Sequence, residues 1–426
     1  MNFKEAFLHF IWINHFFQKN DLVGSKGEKI EILQTGLHNQ NSGPDFFNAQ
    51  IKIDGLLWAG NIEIHVKSSD WFVHHHETDK AYDSVILHVV WEDNVPVFNA
   101  SDRPITTLVL KNYINNALLQ NYYQLFLAPK KWINCENKIT TIDSFIFHNY
   151  KERLYLDRVE KKVLFIENLL EKSNNNWEAV LFKLLTKNFG LKVNGEAFLQ
   201  IANAIPFNLV RKTSQNLLQL EALFFGVSNL LDTEINTKYH QNLVKEYQFI
   251  KNKFALQKVP YNIYPKFFRL RPPNFPTIRL AQLANLYHHN TNLFSNLMQT
   301  NTLLDFYSFL SVGVSSFWET HYTFDSISKK NQKKLTKNFM DLLLINSIIP
   351  LQIAYQKHKG IFKAENFIQL IQSLKPEQNN ILEKFNAIDI EVKNAMDSQA
   401  LIHLYTNYCT KNECLKCTVG NQLLKM

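Results

Sequence analysis

The chain has 426 residues with 46 Lys and Arg against 38 Asp and Glu, and it contains 12 Gly, 12 Pro and four Cys. That length allows roughly two or three domains. So few Gly and Pro argue against a turn-dense all-β protein, and so few Cys exclude a secreted disulfide scaffold. No apolar run approaches the roughly 18–20 residues that span a bilayer. The apolar start, Met1 to Phe17, is broken by Glu5, His9, Asn14 and His15 and lacks a small-residue cleavage site. It reads as an amphipathic helix rather than a signal peptide, so a cytoplasmic protein with no membrane partner is expected.

In chain order, residues 3–18 predict the first helix and residues 29–33 a short strand. Residues 46–53 alternate and end at Asp54-Gly55, a hairpin-turn signal, and residues 56–67 alternate again, so the two runs pair. Residues 74–83 are polar and short enough for a helix. Residues 85–91 (VILHVVW) are nearly all apolar, as in a strand covered on both faces, and residues 105–110 make one more strand. From about residue 112 the apolar spacing becomes three and four, as in residues 145–170, 177–189 and 215–225. The expectation is an α+β protein, with an α/β domain over residues 1–111 and a larger all-helical domain over residues 112–426. Residues 267–280 form an irregular insertion, because Pro272, Pro273 and Pro276 forbid a continuous helix.

Charge divides along the same line. Residues 1–110 hold 8 Lys and Arg against 14 Asp and Glu, and 8 of the 15 His; the remainder holds 38 basic against 24 acidic residues. An acidic, His-rich head suits divalent cations, and a basic body suits polyanions or has simply solvated Lys faces.

Glu5, Asp45, Glu63, His65 and Lys67 carry the chemistry of the head. Asp45 enters a strand, while Glu63, His65 and Lys67 share parity on the next and therefore one face. Two carboxylates from neighbouring strands and a third from a packed helix surround one Mg²⁺ or Mn²⁺, with Asp45 and Glu63 as its ligands and Glu5 assisting. Such an ion polarises a scissile phosphate, and His65 or Lys67 orients the attacking water or stabilises developing charge.

Pro44-Asp45, the hairpin, and then Glu63-Ile64-His65 resemble the PD-(D/E)XK nuclease superfamily. The order helix, strand, strand, strand, helix, strand resembles its core. The resemblance implies metal-dependent hydrolysis of DNA or RNA, with Glu5 as the helical acid and His76, Asp79 and Tyr82 near the phosphate. His65 stands where the superfamily has Lys, and Lys67 is the stand-in two residues on. The whole chain resembles an uncharacterised bacterial family, a domain of unknown function. It does so through Glu5 with Leu8-His9 and Trp12, Gly43-Pro44-Asp45-Phe46, Glu63-Ile64-His65, Ser69-Asp70-Trp71, His74, His76, Leu87-His88-Val89-Val90 and the C-terminal cysteines.

Three further patterns bear on function. His65, His74, His75, His76, Asp79 and His88 make a ligand set for zinc or iron, the basis for an alternative, a His-metal hydrolase of a small molecule. Cys409, Cys414 and Cys417 with the remote Cys135 suit one Cys₄ site for Zn²⁺ or a [4Fe–4S] cluster, stapling the start of the helical body to its end. Arg269, Arg271 and Arg279 flank the Pro-rich insertion with Phe267, Phe268 and Phe275 interleaved, and they offer phosphate forks and stacking rings for nucleic acid. The tract Lys329-Lys330 to Lys333-Lys334 reads as a solvated helix end. No phosphate-binding loop or nucleophile elbow is present. The leading expectation is a nuclease with DNA or RNA as partner; the other alternative is a non-catalytic nucleic-acid-binding or scaffold protein that keeps the nuclease fold.

Overall fold

Alternation and turn chemistry build the sheet. Strands β1 (Leu22–Val23), β2 (Lys29–Gln34), β3 (Leu37–His38), β4 (Phe46–Ile53), β5 (Leu56–Lys67), β6 (Val85–Glu92) and β7 (Thr107–Val109) lie in the order β1-β2-β4-β5-β6-β7, with β3 beside β4. The structure is a computed structural model that describes residues 4–127, 129, 132–256, 260 and 264–426. Strands β2, β4 and β5 are antiparallel, whereas β5, β6 and β7 run parallel. The β4–β5 hairpin turns at Asp54 and Gly55, both at positive φ, as its two-residue turn requires. A bulge at Asn48 (φ 58°) shifts the β4–β5 register between Phe46 and Ala49, just beyond Asp45. Bulges of this kind re-aim the side chains beside them.

Helix α1 (Glu5–Asn14) buries Phe7, Leu8, Phe10, Ile11 and Trp12 and packs on β5. Of the expected helix 3–18, residue 3 lies outside the described residues. The helix ends early because His15 turns left-handed (φ 55°) and its N–H caps α1, although Phe16 and Phe17 continue the apolar pattern. The helix expected over residues 74–83 does not form. Helix α2 (Asp70–Val73) stops at His74, His75 takes φ 60°, and only a 3₁₀ turn at Lys80–Tyr82 follows. The last expected strand is also shortened, because Leu110–Tyr113 is 3₁₀.

The chain divides into two units: Met1–Phe147 with Thr406–Met426, and His148–Tyr405. Residue 111, where the sequence reading ends its first domain, marks the end of the sheet; helix α3 (Asn116–Phe126) and the C-terminal helix (Thr418–Lys425) belong to the first unit and pack together.

The second unit is helical. The expected runs appear as Ser144–Glu171, which starts just ahead of the boundary, Trp177–Phe189 and Leu217–Val227, the last two N-capped by Asn176 and Asn216. Pro276 occupies the first turn of helix Pro276–His289, so the irregular insertion ends there and not at Leu280. Helical residues Lys337–Lys359 are long and apolar enough to cross a membrane by length and composition, but 78% of that window is buried within the protein.

Candidate functional site

Three elements of the first unit bring acids and imidazoles together over β5. Glu5 and His9, one turn apart on α1, face the entry to β4: His9 Nε2 lies 3.7 Å from Glu5 Oε1 and 3.2 Å from Asp45 Oδ2. Asp45 and β5 clamp each other, because the Ile64 N–H donates to Asp45 Oδ2 at 2.9 Å and the Asp45 N–H donates to Glu63 Oε2 at 3.0 Å. The other oxygen of Glu63 faces the opposite way, 3.3 Å from His76 Nε2 and 3.6 Å from His65 Nε2. His65 then bridges inward and outward. Its Nδ1 is 2.9 Å from His88 Nε2 on β6, and its Nε2 is 3.1 Å from His74 Nδ1 at the end of α2. The β5–β6 register explains the inner contact, since Glu63 pairs with His88 and His65 with Val90.

Ligand atoms of Glu5, His9 and Asp45 all lie within 4.8 Å of one another, and so do those of His65, His74 and His76. Glu63 stands between the two groups. Burial and then the neighbouring Asp45 push the Glu63 carboxyl up to about 8. Burial raises Glu5 as well, against the pull of His9. Burial opposes charge on His9, but the Asp45, Glu5 and Glu63 carboxyls together outweigh it and the net shift is upward. On the other side, burial and the adjacent His76 and His74 pull His65 down to about 3, and burial lowers His76 and takes His88 far below the usual histidine range. Neutral imidazoles with open nitrogens are what metal coordination requires.

The expected residues fall differently around this cluster. Tyr82 stacks on His76 with centroids 3.7 Å apart, and burial pushes its hydroxyl up to about 12. Asp79 instead caps the 3₁₀ turn, accepting from the Ala81 N–H. Lys67 has the parity of Glu63 and His65 but is exposed, and its N–H bonds Asp70 rather than any acid of the cluster. His75 is exposed at its left-handed position. Sequence reasoning left His9 out of the site. Its signal was the four-residue spacing from Glu5, which places both on one helix face.

The four thiols gather within the first unit. Cys135 and Cys409 are raised first by burial and then by the other thiols, and Cys414 is pushed up to about 11 by burial and Cys417. Asn134 Nδ2 donates to Cys414 Sγ at 3.5 Å. The thiols are not among the described groups whose ligand atoms all lie within 4.8 Å of one another. The four cysteines expected to staple the start of the helical body to its end therefore all lie in the sheet-bearing unit. Gly420 makes the close fit possible, since a Cβ there would collide with the Cys414 carbonyl.

A cavity of about 1040 Å³ opens between these features; its lining is mostly apolar, with amides and the basic side chains of His9, His38, Lys4, Lys138, Lys411 and Lys416 among it. Its cations outnumber its one acid, Glu413. In the second unit, Arg269 and Arg271 are exposed, with the Arg269 guanidinium 5.2 Å from the Phe268 ring centroid. Arg279 is not at a surface. It is 7% exposed, donates to Gln282 and Asn274, and lies 3.8 Å over the Phe339 ring, so it fixes a helix start.

A family model described as "Protein of unknown function (DUF2851)" matches residues 5–380. Comparison with curated proteins and with solved structures found no match.

Proposed function

The chain belongs to that DUF2851 family, and from its own geometry we propose that it is a metal-dependent nuclease hydrolysing phosphodiester bonds of DNA or RNA. The observation that carries the reading is the meeting of Glu5, Asp45 and Glu63 from a helix and two strands, with His9 among them. The donor set suits a hard cation such as Mg²⁺ or Mn²⁺, because oxygen ligands predominate and crowded, buried acids need positive charge. Asp45 and Glu63 would hold that ion with Glu5 assisting, and the ion would supply polarisation of the phosphate. The backbone N–H of Asp45 and Ile64 fix the two carboxylates before any ligand arrives. His9, in reach of Asp45 and Glu5, holds or moves a proton at Nε2.

Two further observations support the reading. A helix, three antiparallel strands, a short helical crossover and a parallel strand follow the order of the PD-(D/E)XK core. The cavity shares His9 with the site, and Lys4, Lys138, Lys411 and Lys416 in its otherwise largely apolar lining would meet a polyanion at its edge. The thiol cluster, by the same reading, closes the unit around Zn²⁺ or a [4Fe–4S] cluster. A second reading, nucleic-acid binding without cleavage, is favoured by one feature: where the superfamily has Lys, His65 is buried and Lys67 is exposed.

The deciding experiment incubates the protein with labelled single- and double-stranded DNA and RNA in Mg²⁺, Mn²⁺ or EDTA, beside folded Asp45→Ala and Glu63→Ala proteins. Metal-dependent cleavage lost in both variants supports the mechanism. Binding with a steep salt dependence and no cleavage supports the second reading, and variants that cut as well as the parent overturn the nuclease assignment.

A further inference from the structure

We propose that His65, His74 and His76, with Glu63 as fourth ligand, form a separate centre for a first-row transition ion, of the class Zn²⁺, Fe²⁺ or Mn²⁺, which shares Glu63 with the carboxylate site. Three imidazoles and one carboxylate oxygen are a ligand set for such ions and a poor one for Mg²⁺ or Ca²⁺. The three histidines present ligand nitrogens within 4.8 Å of one another, and Glu63 Oε1 lies 3.3 and 3.6 Å from the Nε2 atoms of His76 and His65.

Two observations independent of that clustering point to a ligand. His76 is 7% exposed, and its Nε2, aimed at Glu63 and the histidines, has no hydrogen-bond partner. A buried nitrogen left in that state costs free energy unless something accepts its lone pair or proton. The second observation lies behind the cluster. His88 is fully buried, and its Nε2 meets His65 Nδ1 at 2.9 Å. With the His65 proton on Nδ1, donated to His88, the lone pair of His65 Nε2 faces the cluster. This is the outer partner that orients a metal-binding imidazole. Tyr82 and Trp71 hold the His76 ring by stacking and by an edge contact, so its direction is preset as well. His74, by contrast, is exposed at the end of α2, leaving one side of the centre open to solvent or a ligand.

Glu63 links the two sites. One of its oxygens accepts from the Asp45 N–H while the other faces the histidines. A carboxylate with its two oxygens turned to two ligand groups is suited to bridge two ions, one on each side. The inference stands on the histidine geometry and does not depend on whether the protein cleaves nucleic acid.

The test strips full-length protein with a chelator, reloads it with Co²⁺ alone, and reads metal stoichiometry together with the visible and near-ultraviolet spectrum. Thiolate-bound cobalt gives a charge-transfer band that imidazole-bound cobalt lacks, which separates this centre from the cysteines. His74→Ala is expected to lose one equivalent, or to bind it at least about tenfold more weakly, with the thiolate band intact. Because His74 is exposed, this variant tests the centre without disturbing the core; His76→Ala repeats the test at a buried ligand. Asp45→Ala is expected to keep the equivalent. Unchanged stoichiometry and affinity in His74→Ala, or loss of the same equivalent in Asp45→Ala alone, overturns the proposal.

Discussion

Both units bury charged and titratable side chains, but they do so in opposite ways. In the helical unit each buried cation meets oxygens. Lys151 Nζ lies 2.6 Å from Asp397 Oδ1, and Lys162 donates to the Ile345 carbonyl, Asn346 and Gln399. Lys333, expected on a solvated face, is 7% exposed and donates to the carbonyls of Trp318, Glu319 and His321. In the sheet-bearing unit, beside its His–carboxylate contacts, like groups also crowd together: Glu63 is near Asp45, and His65 touches His74 and His88. Among the described residues three imidazole nitrogens there, of His9, His76 and His88, lack hydrogen-bond partners, whereas the helical unit has one such imidazole, His240. Complementary burial supports a fold; uncomplementary burial is a cost that a bound ligand offsets.

The comparison breaks most visibly if the helical pairs are dispensable. Asp397→Ala removes the carboxylate that faces Lys151 and accepts the Lys393 N–H, and it should cost about 3–5 kcal/mol in urea unfolding of the helical unit. A loss within experimental noise would remove the structural half of the contrast. Glu63→Gln sharpens the other half. It should lower the proposed metal-dependent cleavage by at least about 100-fold, while the melting temperature stays level or rises, because burial and Asp45 already disfavour charge on this carboxyl and the amide has nearly the same shape. A large drop in melting temperature would place Glu63 with the structural residues.

Glu221 is one exception within the helical unit and predicts a pH effect. Tyr239 donates to it at 2.6 Å, yet burial still raises the carboxyl from its ordinary 4.5 to about 7, and its Oε1 has no partner. A raised folded-state value means that the folded chain binds the extra proton between those limits. Wild-type stability should therefore fall as pH rises from about 5 to 7. Glu221→Gln should flatten that slope and stabilise the protein at pH 8 by up to about 3 kcal/mol, with little difference near pH 4; parallel profiles would refute it. The smallest effect concerns the cavity. Lys416→Ala should weaken nucleic-acid binding a few-fold and lower the salt slope by about one, read by fluorescence anisotropy across a salt series.

The hairpin's bounds were legible to the residue, because Asp54-Gly55 marks the turn between two strand-like runs, but the bulge at Asn48 that shifts its register was not. The covered strand at Val85–Glu92 was legible from its apolar run. What failed was local backbone chemistry. His15 and His75 take left-handed φ that composition does not announce, so one helix ends early and another never forms. Asp45 and Glu63 were found because a motif and strand parity converge on them, and Glu5 because an acid on a packed apolar helix stands out. His9 was missed because its role depends on where α1 docks. The same limit applies to arginine. Arg269 and Arg279 flank one Pro-rich segment, yet Pro276 starts a helix that buries the second and leaves the first exposed. Pattern reports a residue's neighbours along the chain; burial depends on its neighbours across the fold.

One consequence of the unit boundaries concerns time. The sheet-bearing unit is interrupted by about 260 residues between Phe147 and Thr406. During synthesis at about 5–20 residues per second, roughly 13–50 s pass between its two parts. Throughout that interval the acids and histidines of the sheet exist without Cys409, Cys414, Cys417 and the helix that follows them. On the ribosome the face that carries the acids and histidines is therefore written early and the cysteine segment of the same unit late, with the helical unit as the interval between the two.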